Sequence, residues 1–366
     1  MLKSVLNFRT LFVLIAYFCS MRVDYIVVGL GLAGLAFVEE ILAAKKTFVV
    51  FEDASQTSSL VAGGVYNPAI LKRYTPVWNA KEQLEIALPL YKRIEEKLQI
   101  RIDEKFVIKK VFKSIEDQNM WFEACDKPKL VDYLSPDLDQ KSYPGVVANF
   151  SFGNVQQAGR VDTEKLVTAY RSYLEKQGCI RFEKLVYEDI VLDDQGLTYK
   201  EITASKIVFC EGFGIKKNPF FKHLPLNGTK GEVITIHAPD LHIDFLLKSS
   251  LFVLPLGANL FKVGATFNWA DKTSAPTEEG RDELVEKLDK ILDIPYRIVK
   301  QSAGIRPTVA GRRPLVGVHQ EHKQLLVLNG LGTRGVMIAP TMAKSLFNHV
   351  ENGEALAEEI DIRRFA

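Results

Sequence analysis

The stretch from Asp24 to Glu52 constrains this chain more than any other. Tyr25, Ile26, Val27 and Val28 form a short apolar run with the character of a buried strand. Gly29, Gly31 and Gly34 follow in the spacing G-x-G-x-x-G, and Leu35, Val38, Ile41 and Leu42 then repeat at helical intervals. A second apolar run, 47–51, ends in Glu52, 23 residues after Gly29. In such a strand–turn–helix–strand unit the first glycine permits a tight turn and the second lets a pyrophosphate approach the backbone. The third lets the helix pack close to the strand. Leu32 and Ala33 open the helix, whose free N–H groups and positive dipole end suit phosphate. Glu52 is placed to accept hydrogen bonds from a ribose diol. The expected fold is therefore α/β, with a Rossmann-type dinucleotide-binding domain.

The remaining bulk properties narrow the classes of function. The chain has 366 residues, 47% of them hydrophobic, and 47 basic residues against 45 acidic ones. A net charge of +2 gives no basic excess to mark nucleic acid as the main partner. The four cysteines, Cys19, Cys125, Cys179 and Cys210, show no paired spacing, and the six histidines form no HxxxH, so no metal site is expected. Residues 1–20 carry Lys3 and Arg9 ahead of the apolar run 11–19, too short to span a bilayer. They read as a signal-like segment or as an extension ahead of a start at Met21. The second reading is preferred and implies a cytoplasmic protein; the first would imply an exported one.

Periodicity predicts helices over 79–98, 116–125, 163–176 (with Asp162 as N-cap), 278–292 and 339–352. It predicts strands over 106–112, 180–187 and 207–210. A cluster of short strands between 231 and 266 suggests an antiparallel sheet distinct from the parallel one. The expected organisation is a discontinuous dinucleotide domain, 21–85, 151–225 and 301–366, with a substrate domain built from 86–150 and 226–300.

Seven motifs in order resemble the D-amino-acid oxidase-like family of FAD-dependent amine oxidoreductases, the group of glycine oxidase and sarcosine oxidase. They fall at 27–34, 57–64, 158–162, 204–212, 230–232 with 263–266, 304–307 with 313–317, and 329–340. The resemblance covers about 23–357 and implies FAD, bound non-covalently, since no Cys lies in 304–314. It implies that Arg306, in Gly-Ile-Arg-Pro, grips a substrate carboxylate; a guanidinium offers such a group a planar two-point contact. It implies that Gly332, Thr333, Arg334, Gly335 and Val336 lie against the pyrimidine end of the flavin, with Arg334 adding positive charge. Gly63 and Gly64 are expected beside the flavin, Val186 at the adenine through its backbone, and Gly212 near the phosphate–ribose end. Tyr66, Tyr74 and Trp78 are candidate pocket walls. Two positions depart from the family pattern: Leu331 stands where a His is usual, and Phe252 where glycine oxidase-like chains often place Tyr.

The function implied is oxidation of an amino acid or secondary amine to an imine, by hydride transfer to the flavin, with oxygen or another acceptor taking the electrons. The oligomeric state is open. A tRNA-modifying oxidoreductase, which removes carboxymethyl from a wobble uridine substituent, is the alternative. It is suggested by the turn at 329–335 and by 64–68, with Lys72–Arg73, Lys216–Lys217 and Arg312–Arg313 as candidate phosphate contacts. A non-catalytic FAD-binding protein is the third reading.

Overall fold

The computed structural model describes residues 21–365. The signal-like segment 1–20 and Cys19 lie outside them.

The apolar runs at the start of the chain become neighbouring parallel strands. Met21–Val28 pairs with Phe48–Phe51 on one side and with Ile202–Phe209 on the other, in register Val27↔Val50 and Val27↔Val208. The full order is Leu315–Val318, Leu325–Asn329, Ile202–Phe209, Met21–Val28, Phe48–Phe51, Ile180–Arg181, with a hairpin (190–199) attached to Ile202–Phe209. All pairs along this path are parallel except the edge pair 315–318 with 325–329. Alternate residues face opposite layers, as a period of two requires. Tyr25 and Val27 pack under the helices Leu32–Ala43, Ala80–Leu98 and Gly335–Asn352, while Ile26 and Val28 join Val49, Phe51 and Phe209 on the other face.

The second sheet also has eight strands, ordered Arg297–Val309, Leu226–His237, Leu260–Gly264, Phe252–Gly257, Leu246–Lys248, Asp103–Val111, Phe152–Val161, Val65–Tyr66. It is antiparallel apart from the pair 246–248 with 103–111. Its membership shifts the expected domain bounds. Phe152–Val161 and Arg297–Val309, placed by sequence in or across the dinucleotide segments, hydrogen-bond into this sheet. The helix Ala80–Leu98, divided at 85/86 by the expected bounds, packs on Gly335–Asn352 beside the first sheet.

Most predicted helices form close to their expected limits. Asp162 caps Thr163–Lys176, its carboxylate accepting from Lys165 N. The helix at 278 ends at Leu288, four residues early, and Thr277 Oγ1 caps it by accepting from Gly280 N at 3.1 Å. The strand expected over 180–187 stops at Arg181, because Phe182 and Val186 face solvent and no sheet edge continues there.

The last helix starts at Gly335 and carries Pro340 in its interior, whereas the sequence pattern put its start at Ala339. Pro340 has no N–H for the carbonyl of Val336, one turn back. Tyr91 supplies the missing donor: its hydroxyl, fully buried, donates to Val336 O at 2.8 Å. Tyr91→Phe should therefore leave a buried carbonyl unsatisfied and cost about 1–3 kcal/mol. Urea denaturation of the two proteins measures it, and equal midpoints would show that the proline needs no such partner.

Candidate active site

The three glycines of the fingerprint have three different environments. Gly29 has φ +90°, and a Cβ there would meet Cys210 O at 2.7 Å. A Cβ on Gly34 would lie 2.0 Å from Gly29 O, so the helix sits on the turn at a distance only glycine allows. Gly31 differs: its φ is −81°, ordinary for any residue, and a Cβ would meet only the Ser59 hydroxyl at 3.0 Å. Nothing in the fold demands glycine at 31; the open side faces a cavity of about 740 Å³. Leu32 N donates to Ser59 Oγ at 3.2 Å, and Gly31 and Ala33 present further N–H groups at the helix start. Gly29, Gly31, Leu32 and Ala33 all line the cavity.

Glu52, 5% exposed, also lines it. Its Oε2 accepts from Leu30 N at 2.5 Å and its Oε1 from Ala54 N at 2.7 Å, while Arg171 Nη2 lies 3.0 Å from Oε1. A carboxylate accepts at about four positions. The chain's own donors take three, so Glu52 ties the glycine turn to the following loop and keeps one position for a hydroxyl. Beyond it, Tyr187 OH and Asn218 Nδ2 (2.8 Å) donate to the Glu211 carboxylate, whose pKa burial raises. Gly212, at φ +54°, lines the cavity beside them and accepts from Asn329 Nδ2 at 2.9 Å.

Val186 does not reach the cavity. Its N–H donates to Tyr199 OH at 3.1 Å, and its carbonyl accepts from Asp189 N and keeps a second lone pair. Leu185 and Tyr187 on either side line the cavity instead. Gly63 and Gly64 do line it, but the need for glycine at 64 comes from the protein: φ is +67° and a Cβ would strike Val161 O at 1.8 Å. The three aromatic candidates pack elsewhere. Tyr66 OH donates to Asp103 at 2.8 Å, Tyr74 OH to Asp117, and Trp78 Nε1 to Glu359 at 2.8 Å.

Arg306 comes from the second sheet, at the strand position paired with Thr229. Its guanidinium lies flat over Gly231, where a Cβ would fall 2.0–2.2 Å from Nη1, Nη2 and Cζ. Nη1 donates to Thr266 O at 3.2 Å and more weakly to Lys230 O at 3.5 Å, and the Phe267 ring stands 4.4 Å from Cζ. Among the described residues no carboxylate pairs with it. Burial lowers its pKa to about 10, which still leaves it charged at neutral pH. A half-buried cation without a counter-charge is left with unspent donors that a ligand anion can take. Gly231→Ala should push the guanidinium aside and lower kcat/KM at least tenfold while FAD stays bound, a loss of about 1.4 kcal/mol in transition-state binding. Unchanged kinetics in that variant would mean that the guanidinium's place does not matter.

The turn at 330–335 closes the cavity near Arg306. Gly332 N donates to Pro307 O at 3.0 Å, tying the turn to the residue after Arg306. Leu331, Gly332, Thr333, Gly335 and Val336 line the cavity, and the first N–H groups of the helix point free of intrahelical partners. Arg334 itself is not among the lining residues. It occupies the N-cap, half-buried, with burial and the neighbouring Arg312 lowering its pKa. Of the basic doublets, Lys216 Nζ donates to Lys222 O at 3.0 Å and Arg313 pairs with Glu359 at 2.6 Å, while Lys72 and Arg73 are exposed.

Phe252, Phe267, Ser59 and Lys248 line the cavity without having been singled out as binding residues in the sequence. Among the described residues no three or more His, Cys, Asp or Glu side chains gather as a metal site, and no helix is long and apolar enough to cross a membrane.

The geometry fits a dinucleotide with a ring system at one end: a glycine cradle a Cβ would fill, an acid with one free acceptor position, and a helix N-terminus at the far side. A family model described as FAD dependent oxidoreductase (DAO) matches residues 24–348. The glycine oxidase of Bacillus subtilis (strain 168) is 23% identical over 357 residues, 90% of this chain and 94% of that protein. The solved glycine oxidase from Geobacillus kaustophilus matches with a TM-score of 0.76 at 18% identity, covering 93% of this chain and 97% of the other. The iminodiacetate oxidase from Chelativorans sp. BNC1 gives 0.76 at 15%, covering 94% and 98%.

Proposed function

The chain belongs to the DAO family of FAD-dependent oxidoreductases, and from that premise we propose that it oxidises an amino acid, or a secondary amine bearing a carboxylate, to the imine. The observation that supports this most is Arg306, a half-buried guanidinium lining the cavity with no carboxylate of the described residues against it. Its unspent donors offer a substrate carboxylate the two-point contact that fixes both distance and orientation. When bound, FAD supplies the two-electron acceptor, which oxygen or another oxidant then regenerates.

The residues of the chain do the positioning. With the carboxylate on Arg306, the α-carbon is held between the second sheet and the loop through Gly63 and Gly64. The positive charge of Arg306 disfavours a protonated amine nearby and so holds the nitrogen lone pair available. The C–H electron pair leaves with its hydrogen, the nitrogen lone pair completes the C=N bond, and water later hydrolyses the imine to a carbonyl compound and the smaller amine. Holding the reactants in this relation can itself supply much of the rate. Phe252 and Phe267 wall the site with apolar surface and limit water around Arg306. At the 330–335 turn, the N–H groups of Thr333, Gly335 and Val336 and the helix dipole would favour negative charge on a flavin ring held there.

The test is anaerobic mixing of the holoprotein with a panel of amino acids and N-methyl amines. Bleaching of the visible flavin band by at least one carboxylate-bearing amine, with release of the matching carbonyl product, is expected. A flavin that no member of the panel reduces, but that dithionite does, would refute the proposal.

A further inference from the structure

The cavity extends past the place assigned to the substrate carboxylate, along one face of the second sheet. Residues directly opposite on adjacent strands share a face. Lys248 stands opposite Phe252, Phe252 opposite Gly264, and Gly264 opposite Val233. Val233 shares its face with Gly231, two residues back, on which the Arg306 guanidinium rests. All of these residues line the one cavity. The row thus has a cation at each end and an apolar floor between them.

Lys248, like Lys262 (which donates to Ala62 O at 3.3 Å), has only a backbone carbonyl for a partner among the described residues, unlike the ion-paired lysines of this sheet. Lys230, wholly buried, is satisfied by Asp271 at 2.5 Å, Ala275 O at 2.5 Å and Thr273 at 3.3 Å. Lys110 pairs with Asp117 at 2.8 Å. Lys248 donates to Ser249 O at 2.9 Å and makes no ion pair among the described residues. The charged groups that act on it, Lys110 and Lys113, are both cations. Burial and these neighbours push its ammonium down to about 8, the direction expected of a cation lacking a counter-charge.

Resting on the reading of Arg306 above, we propose that Lys248 binds a second anionic group of the substrate, so that the preferred substrates are secondary amines with a carboxylate at each end. Three interstrand steps, about 14 Å, separate the Lys248 strand from the Gly231 strand. Both side chains line the cavity, and their stems take up part of that distance, which leaves the span of a short diacid. A single small amino acid held by Arg306 does not extend to Lys248. The apolar floor of Phe252, Gly264 and Val233 suits the carbon chain between the two acids.

The test uses ligands that bind without reacting. Thiodiacetate and (methylthio)acetate replace the amine nitrogen with sulfur and carry two and one carboxylates. Each is titrated into the holoprotein, and Kd is read from perturbation of the visible flavin spectrum. The diacid should bind about tenfold more tightly, since a charge-assisted hydrogen bond contributes that much or more. In Lys248→Met the preference should shrink to about threefold or less, and Lys248→Arg should restore part of it. Equal affinities in the wild type, or a preference that survives in Lys248→Met with its flavin spectrum intact, would overturn the proposal. If Lys248→Met fails to fold, the wild-type ratio and Lys248→Arg decide. Because no turnover is measured, an enzyme that oxidised none of the amine panel could still pass, and an active amine oxidase could still fail.

Discussion

Gly31→Val should yield folded protein without flavin. Valine is tolerated by the backbone, since φ at 31 is −81° and ψ −164°, and its Cβ meets only the Ser59 hydroxyl. The two methyl groups then occupy the open side, against which the pyrophosphate must lie. The protein should purify colourless, with the far-UV signature of apo wild type and stability within about 0.5–3 kcal/mol of it. It should gain nothing on addition of FAD, whereas wild type at a thousand-fold excess over Kd gains about 4 kcal/mol. Gly34→Ala is the contrasting case. Its methyl would sit 2.0 Å from Gly29 O, so that variant should fail to fold and not merely fail to bind. Full flavin retention by Gly31→Val would place the pyrophosphate elsewhere.

Arg306→Ala should abolish turnover and leave FAD in place. The guanidinium contacts Thr266 O, Lys230 O and the Phe267 ring, all in the second sheet or the loop following it, and none belongs to the glycine turn. Removing one partner of a desolvated, charge-assisted pair costs roughly 2–5 kcal/mol. At about 1.4 kcal/mol per factor of ten, kcat/KM should fall some 30- to several-thousand-fold for a carboxylate-bearing amine. Arg306→Lys should recover only part, because an ammonium lacks the two-point geometry. Steady-state kinetics on the best substrate of the panel gives the numbers, with matched flavin content as the control. Wild-type kinetics in Arg306→Ala would remove Arg306 from the substrate.

The sequence made legible what is local. The strand, turn and helix at 25–42 are written in consecutive residues, and Gly29 and Gly34 are needed for the tight turn and the close helix that the motif implies. Arg306 was singled out because a short motif surrounds it, and it lines the cavity. What was missed depends on partners far away in the chain. The pattern started the last helix at Ala339, four residues late, and the donor that Pro340 lacks inside it comes from Tyr91, far earlier in the chain. Val186 was aimed at a ligand, but Tyr199 takes its N–H. Arg334 lies in the right turn, yet the direction of its side chain at the N-cap was not encoded in the glycines around it. The need for glycine at 231 becomes visible only when Arg306, across the strand pair, is seen lying on it. Lys248 joined the cavity only through a register of four strands.

The most direct test of the central claim, that Arg306 holds a carboxylate against bound FAD, is a crystal structure of the holoprotein with (methylthio)acetate. The account predicts FAD along the crevice from Glu52 to the 330–335 turn. It predicts the ligand carboxylate in the plane of the Arg306 guanidinium and the sulfur facing the flavin ring. A carboxylate seated on Arg334, or a flavin whose ring end lies away from Arg306, would contradict it.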